Sequence, residues 1–238
     1  MPTSTAPPAF SALLFGLSGC LVDFGARTLP LGLQRLRPDH TGGHASLEQL
    51  LDRTPQPHEH IAYEQALAGV ADALAEPTPG ATALLEALRQ QNLPCAWLDE
   101  LPPDASARLA ASLPDWLAGT STNDVGRPWP APDACWHALM SLQIEQLEGC
   151  VLISGEPRLL QAGLNAGLWT IGLAACGPLC GKGPADWHAL APAERDELRT
   201  QATLSLYRLG VHSVIDQLTE LGPCLTDLSA RRHKGEKP

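Results

Sequence analysis

Hydrophobic positions along this chain follow two rhythms. Short, mostly apolar runs at residues 12–17, 94–98, 116–119, 150–154, 169–173 and 211–215 read as strands. Between them, apolar residues spaced three and four apart predict helices over 79–91, 106–113, 132–142 and 156–166. Strands alternating with helices predict an α/β fold with a doubly wound parallel sheet, whose site lies at the carboxyl ends of the strands.

The alternation breaks over residues 25–79, where helical spacing at 46–52 and 58–75 comes without a convincing strand. This predicts a small helical cap inserted after the first strand, with the core formed by 9–24 and 80–230. A further amphipathic stretch, 184–209, precedes the last strand. Residues 1–8 form a Pro/Ser/Thr-rich arm. Residues 231–238 read as a polar tail, with the basic cluster Arg231, Arg232, His233 and Lys234 solvated within it.

Composition narrows the classes. A chain of 238 residues with 44% hydrophobic content can bury a sizeable core. A net charge of −10 argues against general binding to nucleic acid or to a membrane surface. No run approaches the ~20 apolar residues of a membrane span. The seven cysteines lack CxxC spacing, so neither a zinc ribbon nor a disulfide framework is expected; reduced thiols point to the cytoplasm. The run Leu17-Ser18-Gly19-Cys20 imitates a lipoprotein cleavage site, but no Lys or Arg precedes Arg27.

Three segments carry candidate chemistry. Residues 13–24, LLFGLSGCLVDF, resemble the first motif of haloacid dehalogenase (HAD) superfamily phosphohydrolases, a strand followed by D-x-D-G-T-[LV]-x-[DE]. Residues 126–130, GRPWP, and 163–172, GLNAGLWTIG, resemble the phosphonoacetaldehyde hydrolase (phosphonatase) branch of that superfamily, as does the region 183–216. The resemblance implies a Rossmann-like core with a cap, an aspartate nucleophile, Mg²⁺ and a cap lysine that condenses with an aldehyde.

The departures fall where that chemistry would be. Gly16, Ser18 and Cys20 stand where the first motif has Asp, Asp and Thr. Gly16 cannot attack phosphorus, and the Ser18 hydroxyl is too weak an acid to protonate a leaving group. In the run from Ser154 to Leu159, Gly155 and Leu159 replace the two metal-binding acids, and Glu156 is displaced by one position. No Mg²⁺ site and no other cofactor is therefore expected. Asp99, at the end of the second strand, would repel a phosphate. Lysine occurs only at 182, 234 and 237, outside the expected cap.

The expected function is that of a catalytically degenerate phosphonatase-like protein, kept for ligand binding or assembly. Two alternatives stand beside it: a HAD-type hydrolase with residual or unorthodox activity, and a metal-independent binder of a small anion. For the anion, Arg127, Ser18, Cys20, Ser154 and Glu156 are the candidate contacts, Arg127 by its place in the resemblance. Cys20, at a strand-to-helix turn, lacks a positioned base. His40, His44, His58 and His60 invite a zinc reading, but the i, i+2 spacing of His58 and His60 divides them between helix faces. Gly16 and Gly19 lack the spacing of a dinucleotide fingerprint. Residues 58–75 carry Ile61, Ala62, Ala66, Leu67, Val70, Ala73 and Leu74, more apolar surface than a small cap easily hides, so a homodimer is expected.

Overall fold

The computed structural model describes residues 10–39, 46–122 and 125–238. One sheet of six strands forms the centre: β1 (Ala12–Gly16), β2 (Cys95–Asp99), β3 (Ala118–Ser121), β4 (Cys150–Ser154), β5 (Trp169–Leu173) and β6 (Ser213–Ile215). The spatial order is β3-β2-β1-β4-β5-β6, with every pairing parallel. The chain winds outward from β1 to one edge and from β4 to the other. The order therefore reverses between β1 and β4, and a crevice opens above their carboxyl ends.

Strands β1, β4 and β5 are buried along their whole length, because helices cover both faces. Alternate residues of β1 serve different layers: Leu13 and Phe15 pack with Val151 and Ile153, while Ala12 and Leu14 pack with Leu152 and Leu139.

After β1 the chain forms α1 (Thr28–Leu36), α2 (Leu47–Leu51) and α3 (Pro57–Leu74), the expected helical insertion with one helix more than the periodicity shows. Pro30 and Gly32 make α1 read as loop in the sequence. Gly32 is required because a Cβ there would sit 2.3 Å from the Leu67 side chain, so its absence lets α1 and α3 cross closely.

The core helices are α4 (Ala81–Gln90), α5 (Pro103–Ala110), α6 (Asp133–Ser141) and α7 (Pro157–Asn165). The stretch 184–209 is two helices, α8 (Pro184–Ala189) and α9 (Pro192–Arg208), and the chain closes with α10 (Leu221–His233).

Two expectations are corrected. Arg231, Arg232 and His233 are not a solvated tail but the last turn of α10. Arg231 donates to the His212 carbonyl at 2.9 Å and lies 5.3 Å from the centre of the Trp169 ring, while Arg232 lies 5.2 Å from that of Phe10. The apolar surface of α3 is also accounted for within one chain: Leu67, Val70 and Leu74 pack with Leu101, Ala105 and Leu109 and are buried. Ile61 stays exposed. The surface argument for a homodimer therefore cannot rest on Leu67 or Val70.

His58 and His60 are exposed, while His40 and His44, like the 1–8 arm, fall outside the described residues. All seven cysteines are free thiols. Among the described residues no helix is long and apolar enough to cross a membrane.

Candidate functional site

A cavity of about 550 Å³ opens at the carboxyl ends of β1, β2 and β4, beneath Leu29 of α1, Gln49 of α2 and Tyr63 of α3. Its wall over β1 and β4 is short of side chains. A Cβ on Gly16 would lie 2.6 Å from Ser154 Oγ and 3.4 Å from the Leu159 side chain. Ser154 is fully buried, and its Oγ accepts from the Glu156 amide at 3.0 Å, which fixes the turn into α7. Glu156 caps α7 by accepting from the Arg158 amide at 3.0 Å. Gly155 does not line the cavity: a Cβ there would come within 2.4 Å of Gly177 Cα and 2.9 Å of the Gly19 carbonyl oxygen, both backbone atoms.

Ser18 lines the cavity, but its hydroxyl donates to Asp23 at 2.8 Å. Asp23 is buried and serves the start of α1: its carboxylate also accepts from the amides of Arg27 and Thr28, at 3.0 and 2.9 Å, and from the Thr28 hydroxyl at 2.7 Å.

The opposite wall holds the charge. Asp99 is 5% exposed. Its carboxylate accepts from the Ser106 hydroxyl and the Glu100 amide, each at 2.9 Å. Burial, helped by the charge of Asp23, pushes the Asp99 carboxyl up to about 7 against the pull of these hydrogen bonds. Glu100 accepts from the Trp129 amide at 2.9 Å and pairs with Arg158 at 2.6 Å. Burial raises its carboxyl too, with Arg158 opposing. Arg158 donates in addition to the Trp129 carbonyl, so β2, the 126–130 segment and α7 are tied together at the rim. Burial and the carboxylates of Glu100 and Asp99 push the Tyr63 hydroxyl up to about 12.

Ser18, Ser154, Glu156, Asp99, Gly16 and Leu159 thus meet in one cavity. Two of the anion candidates do not. Arg127 points away, its side chain 72% exposed and paired with Asp133 at 3.0 Å. Asp133 follows six residues later at the start of α6, close enough to capture the guanidinium on the surface. Cys20 is fully buried with its thiol donating to the Ile153 carbonyl at 3.5 Å; burial, with the Cys176 thiol nearby, pushes its pKa well up, so it offers neither contact nor thiolate. The arginine that the cavity does contain is Arg158, which motif matching passed over. Its signal, a partner 58 residues earlier at Glu100, is invisible without the fold.

The Mg²⁺ implied by the resemblance does not fit these residues. Gly16 and Leu159 offer no oxygen from a side chain, position 155 is closed by the Gly177 backbone, and the Asp23 carboxylate is occupied by four donors. Among the described residues no three His, Cys, Asp or Glu side chains gather as a metal site.

No family model matches the chain. Curated relatives do: phosphonoacetaldehyde hydrolase of Bordetella pertussis is 28% identical over 100% of this chain and 99% of that protein. The Klebsiella pneumoniae enzyme of the same name is 33% identical over 68% of this chain and 62% of its own. Among solved structures, a phosphonoacetaldehyde hydrolase like protein from Oleispira antarctica superposes over the full length of both chains with a TM-score of 0.86 at 20% identity. Another solved chain is 54% identical over 97% of this chain and 100% of its own, with a TM-score of 0.75. The full-length match in sequence, the six-stranded parallel sheet and the crevice over β1 and β4 agree: the chain belongs to the HAD superfamily, in its phosphonatase-like branch.

Proposed function

We propose that this protein has given up phosphoryl hydrolysis and keeps the old active-site crevice as a binding pocket. The observation that carries this reading is the position of the missing nucleophile. Residue 16 is glycine, which carries no carboxylate, and a Cβ there would lie 2.6 Å from Ser154 Oγ, with the Leu159 side chain at 3.4 Å. The cavity beside it remains open at about 550 Å³.

A hydrolase of unorthodox design would need a nucleophile and an acid from other residues. Cys20 is buried and held protonated, and Asp99 is bound to Ser106. Without the nucleophile, the acid and the metal, little is left to lower a barrier that enzymes cut by about 8 kcal/mol or more. A small-anion pocket loses its expected anchor, since Arg127 pairs with Asp133 outside the cavity.

The test is a turnover assay of the purified protein with Mg²⁺ and either phosphonoacetaldehyde or p-nitrophenyl phosphate. The expected rate is that of buffer alone. A metal-dependent rate that follows the protein through purification and is lost on mutation of a cavity residue overturns the proposal.

A further inference from the structure

We propose that the pocket receives a small aliphatic ammonium ion, with the charged nitrogen directed to Asp99 and the carbon chain laid on the apolar wall. The inference rests on the reading of the cavity as a binding pocket and names the chemistry of its ligand.

The arrangement of charge leads there. Four charged side chains line the cavity: Asp99, Glu100, Glu156 and Arg158. Arg158 is matched by Glu100 at 2.6 Å, so the balance of the wall is acidic. Asp99 is the most enclosed of the carboxylates that line the cavity, and among the described residues its partners are all neutral: the Ser106 hydroxyl and the amides of Glu100 and Leu101. A buried carboxylate with hydrogen bonds but no cation is costly in its ionised form, and a cation brought to it relieves that cost. An anion would face the same wall at a loss. The same cavity is lined by Leu17, Leu98, Leu101, Trp129 and Leu159, surfaces suited to a hydrocarbon chain and not to a second polar head.

The charged or titratable groups around Asp99 are Asp23 after β1, Tyr63 on α3, Glu100 next in the chain and Arg158 on α7. On α5, packed against α3, Arg108 is engaged at the surface by Asp72 and Asp104. No group in this set supplies Asp99 with a counter-ion of its own. Its carboxyl, pushed up to about 7, would ionise between pH 6 and 8 while an alkylammonium stays charged. Affinity for the ammonium should therefore rise about tenfold over that interval.

The experiment is titration calorimetry of the full chain with n-butylammonium chloride, sodium butyrate, n-butanol and inorganic phosphate, each at pH 6 and pH 8. Saturable heat is expected with n-butylammonium, tighter at pH 8, with butyrate and phosphate silent and butanol weaker. Asp99→Asn should weaken n-butylammonium at least tenfold at pH 8 and remove the pH dependence, while Asp104→Asn on the surface leaves both unchanged. Circular dichroism checks that Asp99→Asn folds. If it does not, the wild-type preference for ammonium over butyrate and its pH profile decide the matter. Butyrate or phosphate binding as tightly as the ammonium, an unaltered Asp99→Asn variant, or no saturable heat from any probe overturns the inference. Turnover is read separately on the same preparation: a hydrolytic rate defeats the proposed function, whereas loss of the ammonium preference defeats only this inference.

Discussion

Over β1 and β4, the pocket wall is made of Gly16, Ser154 and Leu159 in mutual contact; over β2 and the cap, it is made of Tyr63 and of Asp99 and Glu100, the two acids held by hydrogen bonds and ion pairing. The first wall is limited by space, the second by charge. The same kind of substitution should therefore have opposite outcomes on the two sides. Adding a carboxylate to the first wall asks for room that is absent, while removing Asp99 from the second takes away a buried charge that no cation among the described residues pairs with.

The largest effect tests the backbone contact next to the space-limited wall. Gly155→Asp should cost about 3 kcal/mol or more, because its Cβ would meet the Gly177 and Gly19 backbones at 2.4 and 2.9 Å and no rotamer relieves a backbone contact. Urea denaturation reads this directly, and a variant as stable as wild type would show that the two loops part easily. It follows that restoring Asp at 16, 18, 155 and 159 together should yield no appreciable Mg²⁺-dependent turnover.

The next effect tests the charge-limited wall. The Asp99 carboxyl moves from an ordinary value of 3.8 to about 7, so the folded state holds its proton more tightly than the unfolded chain does. The stability gained this way is full below pH 4 and is lost as pH rises to 7. Relative to wild type, Asp99→Asn should gain roughly 2 kcal/mol more at pH 8 than at pH 5, or about 5 °C in melting temperature. Thermal melts of both proteins across that range check it. Parallel profiles would place the charge of Asp99 elsewhere than in a buried, cation-free setting.

A smaller effect sharpens the contrast within the first wall. At Gly16 the obstacle is a side-chain oxygen rather than backbone, so Gly16→Ala should cost only about 1 kcal/mol. Part of that should return when Ser154→Ala is added, and a double-mutant cycle measures the coupling. The smallest effect concerns Arg127. Its exposed pair with Asp133 lies outside the cavity, so Arg127→Ala should leave stability and ligand titrations unchanged, whereas Arg158→Ala should alter the titrations.

How much of this was legible in the sequence differs from element to element. The strands at Cys150–Ser154 and Trp169–Leu173 stand where their apolar runs place them, because strands buried on both faces leave an uninterrupted hydrophobic signature. Helix α1 was not legible, since Pro30 and Gly32 break its pattern. The reason for Gly32 is Leu67, 35 positions away. Helix α10 was hidden for a related reason: Gly222 and Pro223 resemble a turn, yet proline is tolerated in the first turn of a helix. At the site, positions 16, 18, 99, 154, 156 and 159 could be brought together because motif spacing reports the ends of strands. The direction of a long side chain could not. Arg127 and Arg158 both lie near the pocket in the chain, and what separates them is the pairing of one with Asp133 and the other with Glu100.

The contact of Gly155 with Gly177 also sets an order on change. A side chain cannot enter at 155 until the segment around 177 has withdrawn, so a path back toward a metal-binding acid has to begin at a loop that takes no part in the chemistry. A variant that starts at 155 is expected to lose stability through that backbone contact, and so is one that adds a side chain at 177 itself, where a Cβ would meet the Gly155 backbone at 2.6 Å, so the change has to begin at their neighbours. Two touching backbones thus act as a ratchet: directed evolution toward phosphatase activity from this chain should be sought first in libraries that vary residues 174–180, and only then at the pocket.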